Sequence, residues 1–127
     1  MRRTDQRRAA VFALYQRDVT GRPLDELVDA RATPFTRELT DGVDAEVEQL
    51  DALIERYAQD WTVDRIAPLE RNILRVALHE LLHRDDIPAE VAIDEAIETA
   101  KELCAAEAPA FLNGILGSVQ RDRAAPA

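Results

Sequence analysis

The chain has 127 residues, of which 46% are hydrophobic and 32% charged, and its formal net charge is −9. This size and apolar content suffice for one domain with a hydrophobic core, while the acidic balance argues against a protein that coats nucleic acid by bulk electrostatics. A lone cysteine, Cys104, excludes an intramolecular disulfide, and the sequence has neither a membrane-length apolar run nor a signal-peptide core. We therefore expect a cytoplasmic protein with no membrane contact.

The charge is unevenly distributed along the chain. Residues 1–22 carry six arginines against two acids, a balance of +4, whereas residues 23–60 carry eleven acids against three arginines, a balance of −8. A basic segment on an acidic body can bind RNA at one edge and repel it elsewhere. The alternative is a solvated first turn that binds nothing.

Helical periodicity and the low glycine content predict an all-α fold. A first helix runs from about residue 4 to residue 20, with Thr4 or Asp5 as N-cap and Gly21 at its end. Residues 24–30 form a short helix. Pro34 then opens one long helix, whose core-facing apolar stripe is Phe35, Leu39, Val43, Val47, Leu50, Ile54 and Tyr57.

The second half continues the helical pattern. Residues 61–67 form a junction with one short turn, Pro68 opens a strongly apolar helix to residue 83, and Pro88 and Pro109 open two more. Glycine in mid-helix is costly, so Gly114, beside Asn113, predicts close packing against a neighbouring helix. We expect one all-α domain over residues 1–127, with about seven helices in two packed sub-bundles, about 4–60 and 62–122.

The sequence His79-Glu80-Leu81-Leu82-His83 is a literal H-E-x-x-H motif on a helix. Two histidines four residues apart share one helix face and can ligate zinc, with Glu80 activating water, so a zinc-dependent hydrolase is one alternative function. The chain has no third histidine, no strand for a peptide substrate, and no spacing that selects a third ligand from Glu95, Glu98 or Glu102. The simpler interpretation is a half-buried His79 and an exposed His83 near a helix C-terminus. We expect no catalytic residue, metal or cofactor.

The last third of the chain combines three features that rarely occur together by chance. They are Ile87-Pro88, an acidic pair inside the apolar stretch 91–101, and Asn113-Gly114 within the stretch 111–116. With this ordered set the chain resembles the NusB family of bacterial transcription antitermination factors. Further segments that follow the family pattern are Arg7, Ala10, Leu14 and Tyr15, and the stretches 35–43, 61–66 and 73–77.

The resemblance implies a NusB-like helical fold and a role in transcription. Proteins of this family bind the boxA element of nascent ribosomal-RNA leader transcripts as a heterodimer with NusE, a small-subunit ribosomal protein. The complex joins the RNA polymerase elongation complex with other Nus factors, and no catalysis is implied. A homodimer through the NusE-binding surface stays open.

Candidate RNA-binding residues follow from the resemblance and from their chemistry. Arg3, Arg7 and Arg8 can neutralise phosphates and donate bidentate hydrogen bonds. Tyr15 can stack on an unpaired base, or else belong to the core of the first helix. Glu107 corresponds to a region near the RNA edge of the family, with an exposed helix cap as the alternative.

Candidate partner-binding residues are Glu70 and Arg71, which match a segment associated with NusE. Arg75, Glu80, Glu95 and Lys101 we interpret as a structural charge network between helices. Because Thr4-Asp5-Gln6 interrupts the basic segment, a protein-interaction domain without RNA binding is a further alternative. A methyltransferase with this fold as its RNA-binding module is not expected, because the chain ends at Ala127 with no glycine-rich cofactor loop.

Overall fold

The computed structural model describes residues 2–124, and that range is all-α, as expected. Within it are seven α-helices: α1 (Arg3–Thr20), α2 (Leu24–Leu27), α3 (Pro34–Ala45), α4 (Val47–Tyr57), α5 (Pro68–His83), α6 (Ala89–Leu103) and α7 (Ala108–Ala124). One 3-10 turn, Val63–Arg65, lies between α4 and α5. Within residues 2–124, no helix combines the length and apolar character needed to cross a bilayer.

Glycine and proline set several of the helix boundaries. Gly21 ends α1 with a φ of +73°, a left-handed conformation that glycine adopts without strain, and its N–H donates to the Arg17 carbonyl. Pro34 and Pro68 occupy first-turn positions, where the missing N–H costs no hydrogen bond. The predicted N-cap of α1 is wrong, because α1 already begins at Arg3 and Arg2 supplies no side-chain cap.

The long helix predicted from Pro34 is two helices. At Glu46 the backbone leaves helical geometry (φ −124°, ψ 23°), and its N–H donates to the Val43 carbonyl three residues back. The break lets α3 pack against α1 and α5 while α4 packs against α5 and α7. The short second helix also ends early, at Leu27, because Val28 is extended.

The predicted packing role of Gly114 and Asn113 is wrong as well. Both residues are exposed on α7, and a Cβ at Gly114 would meet no atom of residues 2–124 within 4 Å. The close approach occurs at Gly42 in α3, where a Cβ would collide with the ring of His79.

The core is organised around α5, which contacts α1, α3, α4, α6 and α7. Its two ends are tied to α1 by charge: Arg7 pairs with Glu80, and Asp18 pairs with Arg71. The two helices are therefore antiparallel. Fully buried leucines fill the space between the helices, among them Leu14, Leu39, Leu50, Leu74, Leu78, Leu112 and Leu116.

Candidate nucleic-acid interface

Arg3 presents a positive charge at the start of α1. Its side chain lies at the surface, with Cζ 3.9 Å from the ring centroid of Phe35, which is itself buried. This distance is within the range of a cation–π interaction, which orients the guanidinium without neutralising it. Arg84 approaches the same ring at 5.3 Å, but it is also paired with Glu38 and Asp86. Arg3 thus offers a positioned cation to an anionic ligand.

Arg8 is a half-buried cation that already has an anionic partner. Its Nη1 donates to Oε2 of Glu102 over 2.7 Å. This hydrogen bond is the largest cause that raises the pKa of Arg8, and it also lowers the pKa of Glu102. A phosphate that binds Arg8 must therefore share it with Glu102 or displace that carboxylate.

Arg7 is directed into the protein. Its Nε lies 3.0 Å from both carboxylate oxygens of Glu80, and its Nη2 lies 2.9 Å from Oε1 of the same residue. The two side chains are only 9% and 1% exposed. In this conformation Arg7 fastens α1 to α5, and its Cζ lies 5.3 Å from the centroid of the Phe35 ring that Arg3 also approaches. Glu80, with both oxygens engaged by Arg7, is not free to activate a water.

Tyr15 is half-buried on α1 and lies seven residues after Arg8. Seven residues are close to two helical turns, so the two side chains share one side of the helix about 10 Å apart along its axis. That spacing allows a phosphate at Arg8 and a neighbouring base at Tyr15 to be contacted by one RNA strand.

Glu70 and Glu107 lie together in a groove of about 420 Å³ near the N-terminus of α5. Its apolar wall includes half-exposed Trp61, whose ring packs edge-on against Phe111 at a centroid distance of 6.3 Å. Burial and the nearby charge of Glu107 raise the pKa of Glu70. Ten residues of helix, about 15 Å, separate Glu70 from Glu80, which Arg7 contacts. Glu107 is therefore grouped with the predicted partner-binding Glu70 and with Arg65, away from the candidate RNA-binding arginines of α1.

Arg71, the other predicted partner-binding residue, is turned inward. Its Nε donates to Oδ2 of Asp18 over 3.0 Å, and its Nη1 donates to the Ile66 carbonyl over 3.3 Å. Only 17% of its side chain is exposed. Arg71 therefore supports the backbone at Ile66, a residue that lines the groove, and does not line the groove itself.

Asp18 is the centre of a polar network that charge patterning did not identify. Its Oδ2 accepts hydrogen bonds from Arg71, from Asn72 over 2.8 Å and from Arg75 over 2.7 Å. The Nε and Nη2 groups of Arg75 donate to the two carboxylate oxygens of Asp51, over 2.7 and 2.8 Å. Burial opposes the charge of Asp18, but these donors outweigh it and lower its pKa. The sequence predicts a structural role for Arg75. Its partner on α1, Asp18, has no sequence signal that distinguishes it from other acidic residues.

The other members of the expected charge network differ in their surroundings. Glu80 is buried against Arg7, and Glu95 accepts from the Thr4 hydroxyl over 2.9 Å. Among the residues that the structure describes, Lys101 pairs with Glu98, one turn away on the same exposed face, at 3.3 Å. Lys101 is thus a surface residue and does not bridge helices.

This fold defines a small all-α protein of the NusB type. A structure of T. maritima NusB matches it with a TM-score of 0.89 at 34% identity, covering 96% of this chain and 92% of that one. The model of the NusB family matches residues 4–121, and the transcription antitermination protein NusB of Rubrobacter xylanophilus is 43% identical over 123 residues, 91% of this chain and 88% of that protein. The chain belongs to the NusB family.

A further structural relative was solved as the antitermination factors NusB and NusE in complex with dsRNA. It matches with a TM-score of 0.84 at 24% identity, covering 94% of this chain and 96% of that chain, a likeness of fold. The NusB family is one of transcription antitermination proteins, and this chain is not an enzyme. The hydrolase alternative is thereby excluded.

Proposed function

We propose that this chain is a cytoplasmic transcription antitermination factor that binds the boxA element of nascent ribosomal-RNA leader transcripts together with NusE. The family match over residues 4–121 is the observation that carries the proposal. A protein with the same fold was solved with NusE and double-stranded RNA, which supports both partners. The complex then joins the RNA polymerase elongation complex with other Nus factors.

In this proposal RNA crosses α1, from Arg3 beside Phe35 of α3 to Arg8 beside Glu102 of α6. Arg3 and Arg8 contact phosphates, Tyr15 stacks on a base, and Arg7 positions the helix through its buried pair with Glu80. An RNA phosphate at Arg8 replaces Glu102 as its anionic partner. The RNA affinity therefore includes the cost of breaking the Arg8–Glu102 ion pair as well as the gain from the new contacts.

NusE, in the same proposal, binds at the groove that contains Glu70, Glu107, Trp61 and Phe111. The groove combines exposed aromatic surface with two carboxylates and one arginine, Arg65, a mixed lining that fits a protein partner with apolar and charged side chains better than it fits RNA. In this proposal Glu107 is therefore assigned to the partner side, in place of the RNA contact expected for it from the sequence. A homodimer through this groove is the competing occupant.

The decisive experiment is a fluorescence anisotropy titration of a labelled boxA-containing leader RNA with this protein, alone and with equimolar NusE. A scrambled RNA of equal length is the control. Tighter binding with NusE, lost on scrambling, supports the proposal. Absence of binding in both titrations at low salt contradicts it.

A matched pair of variants tests the RNA surface. Combined Arg3→Ala and Arg8→Ala substitutions should weaken boxA binding and reduce the slope of log affinity against log salt by about 1.4, since each phosphate contact on a single strand contributes ~0.7. Arg56→Ala removes an exposed arginine on α4, away from α1, and should change neither quantity. An unchanged slope in the double variant would place the RNA elsewhere.

A second candidate function is protein interaction without RNA binding. It is favoured by the burial of Arg7 and by the pairing of Arg8 with Glu102. Under this alternative the affinity for NusE is the same with and without boxA RNA, whereas RNA binding predicts a tighter complex when the RNA is present. Isothermal titration calorimetry with and without the RNA distinguishes the two.

A further inference from the structure

His79 is a buried histidine whose ring nitrogens have no hydrogen bond. Its side chain is 7% exposed, and neither Nδ1 nor Nε2 has a hydrogen-bond partner among the residues that the structure describes. The nearest carboxylate oxygen, Oε1 of Glu38, lies 3.5 Å from Nε2, beyond ordinary hydrogen-bonding distance, and the other oxygen of Glu38 is engaged by Arg84. Buried polar groups are rarely left without a hydrogen-bond partner, so the His79 ring is a candidate to bind a ligand.

Gly42 makes the space for this ring. A Cβ on Gly42 would lie 2.7 Å from Nε2 and 2.8 Å from Nδ1 of His79, and it would overlap the carbon between them. Helix α3 therefore approaches α5 closely enough to hold the imidazole edge in place. The orientation of His79 is determined by packing, without any hydrogen bond.

A second imidazole and a carboxylate face the same point. His83 lies one turn further along α5, with its ring centroid 5.1 Å from that of His79, and its Nε2 is 2.8 Å from Oε1 of Glu46. One ligand atom each from Glu46, His79 and His83 lie within 4.8 Å of one another. Two imidazoles and a carboxylate form a donor set that zinc prefers.

The carboxylates considered from sequence are engaged elsewhere. Glu95 accepts from Thr4, Glu102 accepts from Arg8, and Glu98 faces Lys101. Glu46 has no distinguishing sequence signal, because a helix predicted to continue past it gives it no special position. It is the residue at which α3 and α4 separate.

We propose that Glu46, His79 and His83 bind one Zn²⁺ ion between the α3–α4 break and the last turn of α5. Ligand atoms 2.0–2.2 Å from a tetrahedral zinc lie about 3.4 Å apart, so binding draws the three side chains together by small rotations. A water completes the coordination. The site is structural, because Glu80 of the H-E-x-x-H motif is held by Arg7 and cannot serve as a base. The zinc links the α3–α4 break to α5.

The test uses the full chain without an affinity tag, stripped with EDTA and desalted. Calorimetric titration with Zn²⁺ should give one ion per chain, and Co²⁺ should produce the visible absorption of a tetrahedral site. The midpoint of thermal unfolding should rise with Zn²⁺ and return with EDTA, because the ion binds the folded chain.

Single substitutions locate the ion. Glu46→Gln and His83→Ala should each weaken Zn²⁺ binding by at least about tenfold, a loss that even outer-shell changes produce. His79→Phe retains a ring over Gly42 while removing both nitrogens, and should abolish the site. Glu48→Gln, an exposed carboxylate two residues from Glu46, is the matched control and should bind as the unmodified chain does.

Two results would overturn the proposal. One is the lack of saturable Zn²⁺ binding by the unmodified chain. The other is an affinity in Glu46→Gln and His83→Ala equal to that of Glu48→Gln, which would mean that the ion binds other surface acids. These two variants alter partly exposed side chains, so they decide the matter even if His79→Phe fails to fold.

Discussion

At the residue scale, Gly42 and Gly114 occupy helix interiors with opposite surroundings. Gly114 faces open space, whereas Gly42 faces the His79 ring. Their sequence neighbourhoods do not reveal the difference, because the atom that matters at Gly42 comes from a residue 37 positions away in the chain. The close-packing glycine was therefore assigned to the wrong helix.

Gly114→Ala should stabilise the protein by about 0.5–1 kcal/mol, because alanine favours the helix and its Cβ meets nothing. Urea unfolding monitored by circular dichroism measures this change. A loss of stability would show that α7 contacts something at Gly114.

Gly42→Ala should destabilise the protein by about 1–3 kcal/mol, because the new Cβ forces the buried His79 ring to move. The same unfolding experiment measures it. In a His79→Ala background the substitution should cost much less, since the obstructing ring is gone. Equal costs in both backgrounds would rule out the collision as the cause.

At the element scale, the polar network around Asp18 fastens the C-terminal part of α1 to the start of α5. Asp18→Ala should destabilise the protein by about 2–4 kcal/mol, because it removes the carboxylate shared by Arg71, Asn72 and Arg75 and leaves Asp51 as the only acid paired with the 5% exposed Arg75 among the residues described. Chemical unfolding of Asp60→Ala, an exposed acid, should give a change within about 0.5 kcal/mol of zero. Similar values for both variants would refute the network's importance.

The same carboxylate sets a pH dependence. The pKa of Asp18 in the folded protein lies below its ordinary value of 3.8, so the unfolded chain binds the proton more readily. Its contribution to stability is therefore complete above the ordinary value and is lost as pH falls through the folded pKa. Urea unfolding at a series of acidic pH values should show this decline in the unmodified chain. The decline in unfolding free energy should be smaller in Asp18→Asn. An equal decline in both proteins would show that Asp18 is not its cause.

The sequence predicted elements better than it predicted the contacts between them. Gly21, Pro34 and Pro68 act through local backbone geometry, so their boundaries could be assigned without tertiary information. The break at Glu46 could not, because the apolar stripe keeps its three-to-four spacing from Val43 to Leu50 across it. The Glu46–His79–His83 cluster was missed for the same reason, since its carboxylate is placed by that break.

At the scale of the whole molecule, α5 is the helix on which the others depend. It contacts α1, α3, α4, α6 and α7, and Leu74 and Leu78 are completely buried. Native-state hydrogen exchange should therefore find its slowest amides in the middle of α5 and much faster exchange in α2, which has no buried residue. Uniform protection across the helices would contradict this order.

The antiparallel pairing of α1 with α5 also constrains co-translational folding of the protein on the ribosome. Helix α1 is made first, yet the carboxylates and apolar surface that receive it are on helices translated later, with Glu80 73 residues after Arg7. At 5–20 residues per second, the nascent N-terminal segment waits about 4–15 s before Glu80 is even synthesised. During that interval Arg7 lacks its buried partner, and the nascent chain is most basic at its start, because residues 1–22 carry a balance of +4 before the acidic residues 23–60 follow.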